Sequence, residues 1–192
     1  MDATTPSFES IPMDCVIIDT LHLFLRIGDL LINLLIMDLQ RQDGVEKGKL
    51  HKFDKSKQTH LAAYEQFLND SCRISFSWNI KDSKLTWRDL TGPEKIRLLN
   101  SINIPNLFPS LPNNDQIQHL WLTFIHWINY LKRDDGNPDE LETGAKQWVR
   151  DFVRCTRQSM LLHMLTLSQC MYLNLLAHME ILASFVSKVW RN

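Results

Sequence analysis

The chain has 192 residues, 44% hydrophobic and 22% charged, with a formal net charge of −1. That is enough apolar sequence for one domain with a core, and it excludes a disordered chain. The near-zero charge excludes a strong global field toward nucleic acid or membrane, although a local basic cluster stays open.

Residues 1–14 carry neither a basic end nor an apolar run, so no signal peptide is expected; Pro6 and Pro12 mark them as a lead segment. Cys15, Cys72, Cys155 and Cys170 form no C-x-x-C pair, which points to reduced thiols and to the nucleus or cytoplasm. A short extended piece at 15–18 precedes the main element. Residues 16–39 are aliphatic at almost every position except Asp19, His22, Arg26, Asp29 and Asn33, spaced 3, 4, 3 and 4 apart. That spacing predicts a helix to about Arg41, apolar most of the way round, with one polar seam. A helix of this kind is expected inside the protein, with its seam hydrogen-bonded or ion-paired. Two readings are open: an internally neutralised core helix, or a seam that faces a site on a neighbouring element. Charges at Asp19, Arg26 and Asp29 argue against a lone membrane span.

Residues 42–57 form a polar connector with Gly44 and Gly48. Lys47, Lys49, Lys52, Lys55 and Lys57 could touch phosphates, but Glu46 and Asp54 dilute them, which favours a solvated loop. A second helix is predicted over 59–68, with Leu61, Tyr64, Phe67 and Leu68 on one side and Asn69 and Asp70 as its stop. The period then changes to 2: residues 73–78 and 84–87 alternate around a turn at 81–83. This predicts a β-hairpin within 72–88, carrying Ile74, Phe76 and Trp78 on one face and resting on helices. Thr91-Gly92-Pro93-Glu94 is a capping box with proline in the first turn, opening a helix to about Asn103. Pro105, Pro109 and Pro112 make 104–113 a rigid loop. Ile117, Leu120, Trp121, Phe124, Ile125, Ile128 and Leu131 give the cleanest amphipathic helix. His119 and His126 on its flank suit packing or surface roles better than metal binding. Asn137 and Pro138 open a last helix through Leu141, Ala145, Trp148, Val149 and Phe152. Residues 153–192 are Met- and Leu-rich, with one or two helices permitted. The expected fold is mainly α: a helical bundle of residues 15–152 around a buried N-terminal helix, with one small hairpin.

No glycine-rich phosphate loop and no zinc-ligand spacing occur in the sequence. A Ser/His/Asp or Cys/His set cannot be picked from sequence order alone. The one chemical candidate is the seam, where Asp19 and His22, a turn apart, could hold a metal or order a neighbouring active-site group.

The string IIDTLHLFLRIGDLLINLL (17–35) resembles a region of transposase-like proteins of animal genomes, of the Transib and V(D)J recombinase catalytic-subunit type. SCRISFSW (71–78), LTWRDLTGPEK (85–95) and NIPNLFP (103–109) resemble transposon-derived relatives of the same kind, so the resemblance covers about 11–152. It implies a helical insertion in an RNase H-like core, with Asp19, His22, Arg26 and Asp29 supporting the site. In a second, P-element-like branch the motif is D-P-x-H-x-x-K and Asp19 would itself carry metal. Thr20 replaces that proline and favours the first branch. The full-length family uses carboxylates on Mg²⁺ and a zinc site with an upstream C-x-x-C. Those carboxylates and zinc ligands are missing from this chain as written, so no cofactor and no nuclease activity are expected of it alone. Read in a shifted frame, the tail after about Phe152 can spell the family's catalytic end, including Q-G-x-E-K near residue 192. The implied function is a non-catalytic fragment of a DNA recombinase. Alternatives are a helical module binding a protein or nucleic acid, and a metal-dependent nuclease with Asp19 as ligand. DNA or a protein is the expected partner, with no membrane and no small-molecule substrate.

Overall fold

The computed structural model describes residues 20–45, 59–82, 84–133 and 135–160. Six helices and one two-stranded hairpin follow in order: α1 (Thr20–Gln42), α2 (Thr59–Asp70), β1 (Asn79–Lys81), β2 (Lys84–Thr86), α3 (Gly92–Ser101), α4 (Ile104–Leu107), α5 (Asn114–Tyr130) and α6 (Pro138–Met160). The fold is mainly α, as the periodicity predicts.

Helix α1 is the centre. Phe24, Ile27, Leu31, Ile32, Leu35, Ile36 and Leu39 are all buried, and they repeat at the spacing of one broad helical face. The face packs on α2, α3 and α5, with the rings of Phe24 and Phe124 stacked at 6.0 Å. The helix ends in a Schellman motif. The Val45 N–H donates to the Gln40 carbonyl at 2.8 Å and the Gly44 N–H to that of Arg41 at 3.0 Å. Gly44 sits at φ 69°, the left-handed position this motif needs.

The hairpin is smaller than its alternation predicts. Asn79 pairs with Thr86, Ile80 with Leu85 and Lys81 with Lys84. Residues 73–78 alternate buried and exposed, but after Arg73, which turns the chain at φ 51°, they run as a single strap over α2. Their missing neighbour is replaced by a side chain. Asn69 accepts the Phe76 N–H at Oδ1 and donates from Nδ2 to the Phe76 carbonyl, both at 3.0 Å. Phe76 and Trp78 then pack edge-on at 4.8 Å, and Phe76 meets Tyr64 at 5.9 Å. The Trp78 indole N–H donates to the Leu61 carbonyl at 3.0 Å. One-sided burial alone produces the period-2 pattern that suggests a longer hairpin.

Helix α3 opens with the expected capping box at Thr91 and Glu94. The loop 104–113 is not wholly irregular. Asn103 accepts the Asn106 N–H at 3.1 Å, Pro105 stands in the first turn, and one helical turn, α4, forms. Its three prolines masked that start signal. Phe108 and Leu111 are buried and anchor the rest of the loop. Helices α5 and α6 pack along each other: the Trp148 N–H donates to the Leu120 carbonyl at 2.9 Å, and the Trp127 indole fills the space a side chain at Gly144 would need. Helix α6 starts where Asn137 accepts the Asp139 N–H at 2.9 Å. It passes Phe152 without a break, and Cys155 and Thr156 are still in the core.

Candidate functional site

The polar seam of α1 lies on the outer side of the helix. His22, Arg26 and Asn33 are exposed, and the Asp29 side chain is 45% exposed. This corrects the expectation of a buried seam. The helix is buried, but along the stripe opposite the seam. Spacing shows which residues share a face; it does not show which of two apolar-flanked faces a bundle covers. Asp29 reaches across to α3, where Lys95 Nζ lies 2.7 Å from its Oδ1. Lys95 itself is only 4% exposed, its stem running past Gly28. The pair ties α1 to α3, and the exposed carboxylate lets the buried cation keep one foot in water. Asp19 lies outside the described residues, as do Lys47, Lys49, Lys52, Lys55 and Lys57. Among the described residues no group of three or more His, Cys, Asp or Glu side chains could hold a metal. No helix among them is long and apolar enough to cross a membrane. His119 is exposed, with its Nε2 3.5 Å from Thr123 Oγ1, and His126 is exposed against the Trp127 ring.

Leu21 belongs to the same helical stripe as Gly28, Ile32 and Leu39, yet it is 60% exposed. It borders a groove floored by Phe24, Leu99, Ile125 and Ile128, with Ile96, 45% exposed, on the opposite lip. Asn100, Asn129 and Lys132 form the polar rim. The groove holds about 160 Å³.

A second arrangement joins three segments far apart in sequence. Asp43 is the residue between the end of α1 and Gly44, and its side chain is 2% exposed. Its carboxylate accepts the backbone N–H of His60 at 3.1 Å and that of Leu61 at 2.9 Å, both in the first turn of α2. An anion at a helix N-terminus satisfies orphan amides and opposes the helix dipole. The same carboxylate lies 2.6 Å from His60 Nδ1. On the far side of the ring, His60 Nε2 is 2.8 Å from Ser110 Oγ, on the loop between Pro109 and Pro112. Phe108 packs against the ring at 6.4 Å. No local signal announces this set, because its members stand 17 and 50 residues apart.

The motifs that carry the resemblance are folding devices here. In LTWRDLTGPEK, Arg88 grips both oxygens of Glu94, at 2.8 and 2.9 Å, while Thr91 donates to Glu94 from its backbone at 2.8 Å and its hydroxyl at 3.0 Å. The Arg88 hydrogen bonds lead in holding the Glu94 carboxyl down to about 2, with partial burial working the other way. In SCRISFSW, Cys72, Ile74, Phe76 and Trp78 are core residues, and burial raises the Cys72 thiol above its ordinary range.

Comparison with family models, with curated proteins and with solved structures finds no match.

Proposed function

We propose that the chain is a piece of a transposase-like DNA recombinase, not catalytic as a nuclease, that keeps the helical insertion and lacks the metal-binding carboxylates. The observation that carries this reading is the apolar groove beside the start of α1. A core stripe that continues to an exposed Leu21, beside an apolar groove and an outward polar seam, is what a helical unit presents when it is built to sit on another body. The stretches that carry the resemblance all lie within one continuous core from α1 to α6, which agrees with their belonging to one insertion. Asp19, His22, Arg26 and Asp29 are then relic support residues that hold local structure, as Asp29 does through Lys95.

The same groove favours a second reading, a helical module that binds a protein partner. The coding DNA separates the two. The fragment reading expects codons 184–192 to spell Q-G-x-E-K in the other frame and a C-x-x-C to be encoded upstream; codons that cannot do so end it. Purified chain should also leave branched and linear DNA intact with Mg²⁺ or Mn²⁺. Nicking that disappears in Asp19→Asn would establish a working nuclease instead.

A further inference from the structure

We infer that Asp43, His60 and Ser110 form a nucleophilic set, with Ser110 Oγ as an activated hydroxyl toward esters and phosphonates. The inference is independent of the recombinase reading. It rests on the juxtaposition of a fixed carboxylate, an oriented imidazole and an accessible hydroxyl, the arrangement that recurs on unrelated folds.

Three features make the geometry competent. The Asp43 carboxylate is held by two backbone N–H groups before it meets the ring, so it does not swing away to solvent. Its contact with Nδ1, at 2.6 Å, selects the tautomer with the proton on Nδ1. That leaves the Nε2 lone pair facing Ser110 Oγ at 2.8 Å, within reach for proton transfer. Among the described residues the only competing contact to that nitrogen is Thr59 Oγ1, at 3.4 Å and much longer. Finally, Ser110 is exposed, and the His60 side chain is 20% exposed, so a small reagent can approach.

The reaction balances with the ester and water alone. The Ser110 hydroxyl proton moves to His60 Nε2 as Oγ bonds to the carbonyl carbon of an ester. The ester C–O bond then breaks, and the imidazolium returns the proton to the departing alkoxide. Water repeats the sequence on the acyl-serine, releasing the acid and restoring the hydroxyl. With a fluorophosphonate the P–F bond breaks instead, fluoride leaves, and the serine stays phosphonylated.

The test is labelling of the full chain with a fluorophosphonate probe, mapped by mass spectrometry, together with release of p-nitrophenol from p-nitrophenyl acetate. Label is expected at Ser110 in preference to other serines. It should fall about 10²-fold or more in His60→Gln, the scale of a lost general base. Ser110→Ala should abolish both signals. Asp43→Asn tests the orienting carboxylate, but it also removes an anion from the start of α2. Circular dichroism and a thermal melt therefore accompany each variant, and His60→Gln is the deciding one. Labelling at Ser110 no faster than in urea-unfolded chain, or unchanged in folded His60→Gln, would show that the three residues are only a structural clasp and would overturn the inference.

Discussion

Two glycines in helices should respond in opposite directions to the same substitution. A Cβ placed on Gly144 would lie 1.8 Å from Cζ2 of Trp127, 2.3 Å from Cη2 and 2.5 Å from Cε2. No indole rotation within its own plane relieves three such contacts, so the ring must leave the α5–α6 seam. Overpacking costs about 1–3 kcal/mol, and three contacts this short put Gly144 at the upper end, about 2–3 kcal/mol. Replacing glycine by alanine inside a helix returns about 1 kcal/mol. Gly144→Ala should therefore destabilise the protein by roughly 1–2 kcal/mol, or about 2–8 °C in melting temperature for a chain of this size. At Gly28 the nearest atom to a new Cβ is Lys95 Cδ at 3.7 Å, an ordinary contact. Gly28→Ala should stabilise by about 0.5–1 kcal/mol. Urea unfolding followed at 222 nm measures both, with the slope m checked for constancy. In a Trp127→Ala background the clash is gone, and Gly144→Ala should then become stabilising. Gly144→Ala at wild-type stability or above in the native background would refute the close approach of the indole to α6.

Tyr64 is fully buried, which drives its ionisation well above the ordinary range with Cys72 adding to it, and its hydroxyl has no hydrogen-bond partner among the described residues. Tyr64→Phe should leave stability unchanged or raise it by about 1 kcal/mol; a loss beyond about 1 kcal/mol in urea titration would reveal a hidden partner. Glu94 has a depressed carboxyl, so its pairing with Arg88 stabilises the fold fully above its ordinary value of 4.5, and that stabilisation is lost as pH falls toward about 2. The stability gap between wild type and Glu94→Gln should thus narrow across that window, and a gap independent of pH would refute the pairing. Burial pushes the Cys155 thiol up to about 11, with Asp38 adding to it, and burial likewise raises Cys72. Iodoacetamide at pH 8 should leave both unmodified in the folded chain and modify both in urea; native alkylation at the rate of a free thiol would contradict their burial.

What could be read from the sequence was what is encoded locally. Thr91 and Glu94 are three residues apart, and the capping box they form needs no tertiary information. The amphipathic period of α5 likewise survives intact, with Ile117, Leu120, Trp121, Phe124 and Ile128 buried. The spacing shows the seam of α1 but not that it faces outward, because Leu25, Leu30 and Leu34 flank it with apolar surface and blur the two faces. The hairpin is shorter than the alternation implies, since the period in 73–78 reports burial on α2 and not a strand partner. Asp43, His60 and Ser110 left no trace at all. Their meeting depends on how α1, α2 and the proline loop converge, and no spacing rule reaches that far.

The amide of Asn69 spends both its oxygen and its nitrogen on the backbone of a single residue, Phe76, with the nitrogen shared with the Glu65 carbonyl at 2.8 Å. Deamidation there would replace that nitrogen with oxygen and set a carboxylate against two carbonyls. The ageing of one amide would then loosen the ring that spaces Tyr64 from Trp78, so stored protein should drift in tryptophan fluorescence long before it unfolds.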